Sequence, residues 1–162
     1  MIKQLEGVWR GEGMGEYPPK VPPFQYIEEL TVNPLSKPNT WEIRSSTRNK
    51  MTSKPMHIET GFVRAHPADD LSGRVEFVIS HPFGLSEVSE GNYTNDNIDV
   101  YCRNEGLTRT QSATSPFVTE VRRVYELKRS DNGAHFIDFL FEMATTHSPM
   151  QSHLVARLYK VV

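Results

Sequence analysis

Apolar and polar side chains alternate along almost the whole chain. From 134 to 146, His135, Ile137, Phe139, Phe141 and Met143 share one parity while Asp138 and Glu142 take the other, the period of a strand with one buried face. The same period recurs in Val75, Phe77, Ile79 and His81 against Arg74, Glu76 and Ser80, and in Ile98, Val100 and Cys102 against Asp99 and Arg103. Further runs over 8–17, 24–32, 40–48, 56–66, 85–94, 117–128 and 153–162 bring the expected strands to about ten. No segment carries a helical stripe.

Breaker residues separate most of these runs: Asn33-Pro34, Lys37-Pro38-Asn39, Ala68-Asp69-Asp70 with Gly73, Asn95-Asp96-Asn97, Asp131-Asn132-Gly133 and Ser148-Pro149. Short turns between antiparallel strands make hairpins, and many hairpins in a row leave sheet edges that must be hidden. Closing the sheet on itself hides them completely. The pattern therefore predicts an all-β protein, an antiparallel up-and-down β-barrel of about ten strands, with 1–162 forming one domain. A barrel of that size is wider than the eight-stranded kind that side chains fill, so it has room for an internal ligand.

Composition narrows the function classes. The 162 residues are 37% apolar and 23% charged, too apolar for a disordered tail and too polar for a membrane protein. Lys plus Arg number 18 against 20 Asp plus Glu, a formal net charge of -2. A nucleic-acid binder would carry a basic excess, so no nucleic-acid partner is expected. The single cysteine, Cys102, leaves no disulfide framework and no paired-cysteine metal knuckle. Met1 to Trp9 lack the apolar stretch of a signal peptide, and no apolar run approaches the roughly 18 residues of a membrane span. A cytoplasmic protein with no membrane partner is the expectation, its oligomeric state left open. GxSxG, HExxH and P-loop patterns are absent.

The N-terminal strand is unusual. Trp9, Gly11, Gly13 and Gly15 share one parity, so one face carries a large ring and then no side chains, and something must approach closely there. The spacing is not a dinucleotide-binding fingerprint, because the third glycine of GxGxxG is missing and no helix follows. Gly7-Val8-Trp9-Arg10-Gly11-Glu12-Gly13 does fit the GxWxGxG signature of the nitrobindins. The likeness continues through Tyr17-Pro18, Pro23-Phe24, Tyr26, Glu28-Glu29, Lys54-Pro55-Met56-His57 and Glu59-Thr60-Gly61. It goes on with Ser80-His81-Pro82, Gly84-Leu85, Glu87-Val88, Gly91-Asn92-Tyr93 and Pro149-Met150-Gln151-Ser152-His153-Leu154. The chain thus resembles the nitrobindin family over nearly its whole length.

That resemblance implies a ten-stranded barrel of lipocalin or fatty-acid-binding-protein-like form. It also implies a solvent-accessible b-type haem, ferric at rest, that binds nitric oxide and isomerises peroxynitrite to nitrate. By position, His153 is then the proximal iron ligand and the catalytic metal site. Met56 and His57 fall on the open side of the haem, Met143 lines the cavity, and His81 falls where the family places a variable polar residue. Met143 and His81 also lie on the apolar parity of their strands. Read without the resemblance, His153 is an ordinary surface or hydrogen-bonded histidine, His81 a satisfied core residue and Met56 flexible core filler.

Two departures from the family pattern stand out. A haem-contacting threonine after the early Tyr-Pro is replaced by Pro19, and the family's lysine is missing because Arg103–Leu127 contains no Lys. Arg109, Arg122 and Arg123 are the cations available to replace it. A second reading, from a different class, is a non-enzymatic carrier of a fatty acid or other small apolar ligand in the same cavity.

Overall fold

The computed structural model describes residues 2–161; Met1 and Val162, the latter closing the predicted 153–162 run, lie outside the described residues. A short 3-10 turn, Ile2–Leu5, precedes eleven strands. They are β1 Gly7–Tyr17, β2 Val21–Pro34, β3 Thr40–Asn49, β4 Pro55–Pro67, β5 Gly73–His81, β6 Leu85–Tyr93, β7 Asn97–Cys102, β8 Leu107–Arg109, β9 Val118–Arg129, β10 His135–Thr145 and β11 Ser148–Lys160. Among the described residues, helix is confined to Ile2–Leu5 and a second 3-10 turn, Asn104–Gly106.

The strands pair in the order β5-β4-β3-β2-β1-β11-β10-β9-β7-β6, and β6 pairs back to β5. Ten antiparallel strands therefore close a barrel, and the ring has no free edge. The eleventh, β8, is a three-residue segment that the alternation did not predict. It pairs with Leu85–Glu87 of β6 after the chain has left β7 through Asn104–Gly106. A second difference concerns the last hairpin. Thr145 pairs with Ser148, so the turn falls at Thr146-His147 and Pro149 is already in β11. Proline is tolerated there because the first residues of a strand need not donate to the ladder.

Inward parity builds the core. Trp9, Leu30, Val32, Val63, Phe77, Ile98, Ile137 and Leu158 are all buried inside the ring. The turn Ile2–Leu5 caps that end of the barrel by burying Ile2 and Leu5. It is tied down where Trp9 Nε1 donates to the Leu5 carbonyl (2.7 Å) and Trp41 Nε1 donates to Glu6 Oε1 (2.8 Å). The glycines of β1 are explained by the same crowding. A Cβ on Gly11 would strike the backbone carbonyl of Arg157 in β11, and one on Gly13 would strike the Tyr26 ring. The close approach expected from the sequence is made by the barrel itself. Away from the capped end the barrel interior holds open space.

Candidate functional site

That space is a cavity of about 310 Å³, lined by Phe24, Tyr26, Leu85, Val118, Val121, Phe139, Phe141 and Leu154 among apolar residues. All five residues singled out in the sequence, Met56, His57, His81, Met143 and His153, also line it. A larger groove of about 700 Å³ runs beside Glu12, Lys50, Asp138 and Arg157. Its charges are already paired across strands, Lys50 with Glu12 at 2.6 Å and Arg157 with Asp138 at 2.7 Å. The barrel interior is where unpaired chemistry collects.

Two β-bulges shape the cavity. Phe141 pairs with Leu154 and Glu142 with Ser152, so His153 is an extra residue in β11. Thr47 pairs with His57 and Arg48 with Pro55, so Met56 is an extra residue in β4. Neighbours on a regular strand face opposite sides, but a bulge turns one of them around. As a result His153 and Leu154 both face inward, as do Met56 and His57.

His153 is half-buried, with its Nδ1–H donating to the Glu16 carbonyl of β1 at 2.8 Å. The acceptor is a carbonyl, so the proton sits on Nδ1 and Nε2 keeps a free lone pair. Burial, with a smaller push from His57, lowers the imidazole pKa against the pull of that hydrogen bond, favouring the neutral ring. Tyr17 stands edge-on to it at 5.5 Å, and Phe141 lies at 6.1 Å, which holds the ring's orientation. On the ring of ten strands, β5 is five places from β11 in either direction. His81, on β5, therefore stands across the barrel from His153.

His57 and His81 meet there, with His57 Nε2 3.1 Å from His81 Nδ1. Phe83, largely exposed at 57%, packs against both rings at 5.5 and 5.2 Å. Beneath them lies a buried ionic group. Arg123 donates through Nη1 and Nη2 to the two oxygens of Glu59 (2.7 and 2.9 Å) and through Nε to Glu87 (2.8 Å). Its guanidinium also lies 4.6 Å over the Phe141 ring. Burial is the largest single influence on Glu59 and Glu87 and would raise their carboxyl pKa values, but the Arg123 charge, the Arg123 hydrogen bonds and the neighbouring histidines together outweigh it and hold both below their ordinary range. Glu28 has no such partner. Ser45 donates to its Oε1 at 2.8 Å while Oε2 is buried without a hydrogen bond, and burial pushes its pKa up to about 7.

Sequence reasoning did not assign this group, although its signal was present. Glu59, Glu87 and Arg123 occupy the inward parity of β4, β6 and β9, where the neighbours are Val63, Ser89 and Val121. A charge on an apolar parity marks a buried pair or a site. The three candidate arginines separate clearly. Arg122 lies on the outside, paired with Asp99 and Glu142. Arg123 is committed to Glu59 and Glu87. Arg109 lies over the Phe117 ring with Nη2 buried and without a hydrogen-bond partner.

Comparison with known proteins gives this architecture relatives. The family model described as "THAP4-like, heme-binding beta-barrel domain" matches residues 1–160. A peroxynitrite isomerase of Frankia casuarinae is 36% identical, the alignment covering 97% of this chain and 82% of that protein. Peroxynitrite isomerase 1 of Mycolicibacterium paratuberculosis is 32% identical, with 98% and 92% covered. The crystal structure of Rv2717c from M. tuberculosis superimposes with a TM-score of 0.78 at 29% identity, covering 98% of this chain and 93% of that one.

Proposed function

Because the chain belongs to the THAP4-like haem-binding β-barrel family, we propose that it is one haem-binding domain that holds a ferric b-type haem through His153. In this reading it binds nitric oxide and isomerises peroxynitrite to nitrate. The observation that carries the reading is the His153 imidazole, with its Nδ1–H donating to the Glu16 carbonyl and its Nε2 free at an apolar cavity. A neutral imidazole nitrogen oriented by a hydrogen bond from its other nitrogen is the ligand that iron requires. Phe24, Phe141, Met143 and Leu154 supply the apolar walls that a planar macrocycle needs, so the residues present fit the group.

Bound there, haem iron would supply a Lewis-acid centre for nitric oxide or peroxynitrite. The chain's own residues set the surroundings. His153 orients the cofactor from β11, and His57 and His81, across the barrel, offer hydrogen bonds to a small polar ligand. Met56 and Phe83 narrow the mouth around His57. Of the arginines available to replace the family's lysine, Arg109 keeps a nitrogen without a hydrogen-bond partner but does not line the cavity. The buried single thiol, Cys102, suits a reducing, cytoplasmic setting. The carrier reading is the weaker one, since among the described residues Arg123 is the only lysine or arginine lining the cavity and both its carboxylate partners are already in place. A fatty-acid carboxylate would find no free cation there.

The test is haemin reconstitution of the purified full chain. A Soret band at one haem per chain, with peroxynitrite decay to nitrate accelerated over free haemin, is the expected result. A protein that takes up no haemin but binds long-chain fatty acid would establish the carrier instead.

A further inference from the structure

The cluster on the cavity wall across from His153, whose two histidines the haem reading uses only to hydrogen-bond a ligand, also brings a carboxylate within reach of both rings. His57 Nε2, His81 Nδ1 and Glu59 Oε2 form a triangle with sides of 3.1, 3.6 and 3.7 Å. Two imidazole nitrogens and a carboxylate oxygen are a common ligand set for zinc, at bond lengths of about 2.1 Å. A tetrahedral ion with such bonds separates its ligands by about 3.4 Å, whereas an octahedral one separates adjacent ligands by about 3.0 Å. The mean side of the triangle lies close to the tetrahedral value.

The surroundings are those of ligands already oriented. If His81 binds through Nδ1, its proton is on Nε2, and that nitrogen is 3.5 Å from Glu87 Oε2. Neither atom has a hydrogen-bond partner, although both are buried. A carboxylate behind a ligating histidine is the usual device for fixing its tautomer. Glu59 is likewise held from behind, through both of its oxygens, by Arg123. The charge balance points the same way. Two carboxylates, Glu59 and Glu87, share the single guanidinium of Arg123. Access is present as well, because the His57 side chain is one-third exposed while those of Glu59 and His81 are largely covered.

We propose that His57, Glu59 and His81 form a second, non-haem metal site that takes one divalent zinc-class ion. Three protein ligands leave a fourth coordination position, and since all three residues line the cavity that position is filled by water or a small anion from within it. The site goes beyond the haem reading and does not require it.

The test uses the full chain, haem-free and stripped of metal with a chelator, titrated with zinc in competition with a chromophoric chelator. One zinc per chain is expected, with cobalt in its place giving the intense visible bands of four-coordinate Co²⁺. His57→Ala and His81→Ala should each weaken zinc binding at least about 100-fold, while His66→Ala, on the outer wall beside Glu76, should leave it unchanged. His57→Ala removes a partly exposed side chain, so it tests the site even where His81→Ala fails to fold. Absence of zinc binding, or wild-type affinity in His57→Ala, would overturn the proposal and reduce the pair to an imidazole–imidazole hydrogen bond. The two readings fail separately. Loss of zinc binding with an intact haem spectrum refutes only the metal site, and zinc binding by a chain that takes up no haem supports the metal site while refuting the haem reading.

Discussion

Replacing Glu28 by glutamine should stabilise the barrel in a way that grows with pH. Glu28 is buried, one of its oxygens has no partner, and burial raises its carboxyl pKa to about 7 from an ordinary 4.5. In the folded chain it keeps its proton up to about pH 7, whereas the unfolded chain releases it near 4.5. The unfolded state therefore binds fewer protons across that interval, and stability falls as pH rises through it. The contribution is fully present below pH 4.5 and lost above about 7. Between pH 5 and pH 8 the two titration curves differ by about 2.5 kcal/mol. Glu28→Gln removes the titration but retains an amide oxygen to accept from Ser45. Urea unfolding of both proteins at pH 5 and pH 8 measures the effect. The advantage of the glutamine chain should grow by about 2.5 kcal/mol between the two, since the titrations of Glu59 and Glu87 are common to both. An unchanged difference would refute the reasoning, because it would mean that Glu28 is ionised and hydrated inside the fold.

Arg123→Met leaves Glu59 and Glu87 buried without their cation. It should cost about 3–5 kcal/mol in urea unfolding at pH 8, and less at pH 5, where the orphaned carboxylates take up protons. Gly11→Ala drives a methyl into the Arg157 carbonyl across β1 and β11 and should cost at least about 2 kcal/mol. Gly133→Ala, at φ +82° with open space around it, should cost about 1 kcal/mol. In haem-loaded protein, His57→Ala or His81→Ala should change the affinity for nitric oxide or the rate of peroxynitrite decay while the haem stays bound. Stopped-flow kinetics that are unchanged in both would remove these residues from the ligand pocket.

The barrel was legible because a two-residue period repeats in nearly every segment and each β-strand needs only a short turn to reach its neighbour. Inward parity also put His81 and Met143 on the inner face, and both line the cavity. It failed at His153 and Met56, because each stands at a bulge where two consecutive residues face inward, and alternation carries no information on where a strand gains a residue. Only the resemblance of the surrounding motifs pointed to those two. Tertiary pairing decided the remainder. Arg122 and Arg123 are adjacent and alike in sequence, yet one pairs with Asp99 on the outer surface and the other with Glu59 and Glu87 inside. The three-residue β8 had no pattern of its own, being held by its pairing with Leu85–Glu87.

Haemin titration of His153→Ala, followed by its Soret band, tests the central claim most directly. The substitution removes the imidazole whose Nδ1 is held by Glu16 and whose Nε2 is free at the cavity. The barrel ladder of β10, β11 and β1 uses none of that side chain, so circular dichroism should still report a folded all-β protein. Haemin affinity should fall sharply, the ferric spectrum should shift or vanish, and added imidazole should restore part of it by supplying the missing ligand. A folded His153→Ala chain with the wild-type ferric spectrum and haemin affinity would contradict the account and transfer the iron to another residue, with His57 and His81 the first to be substituted.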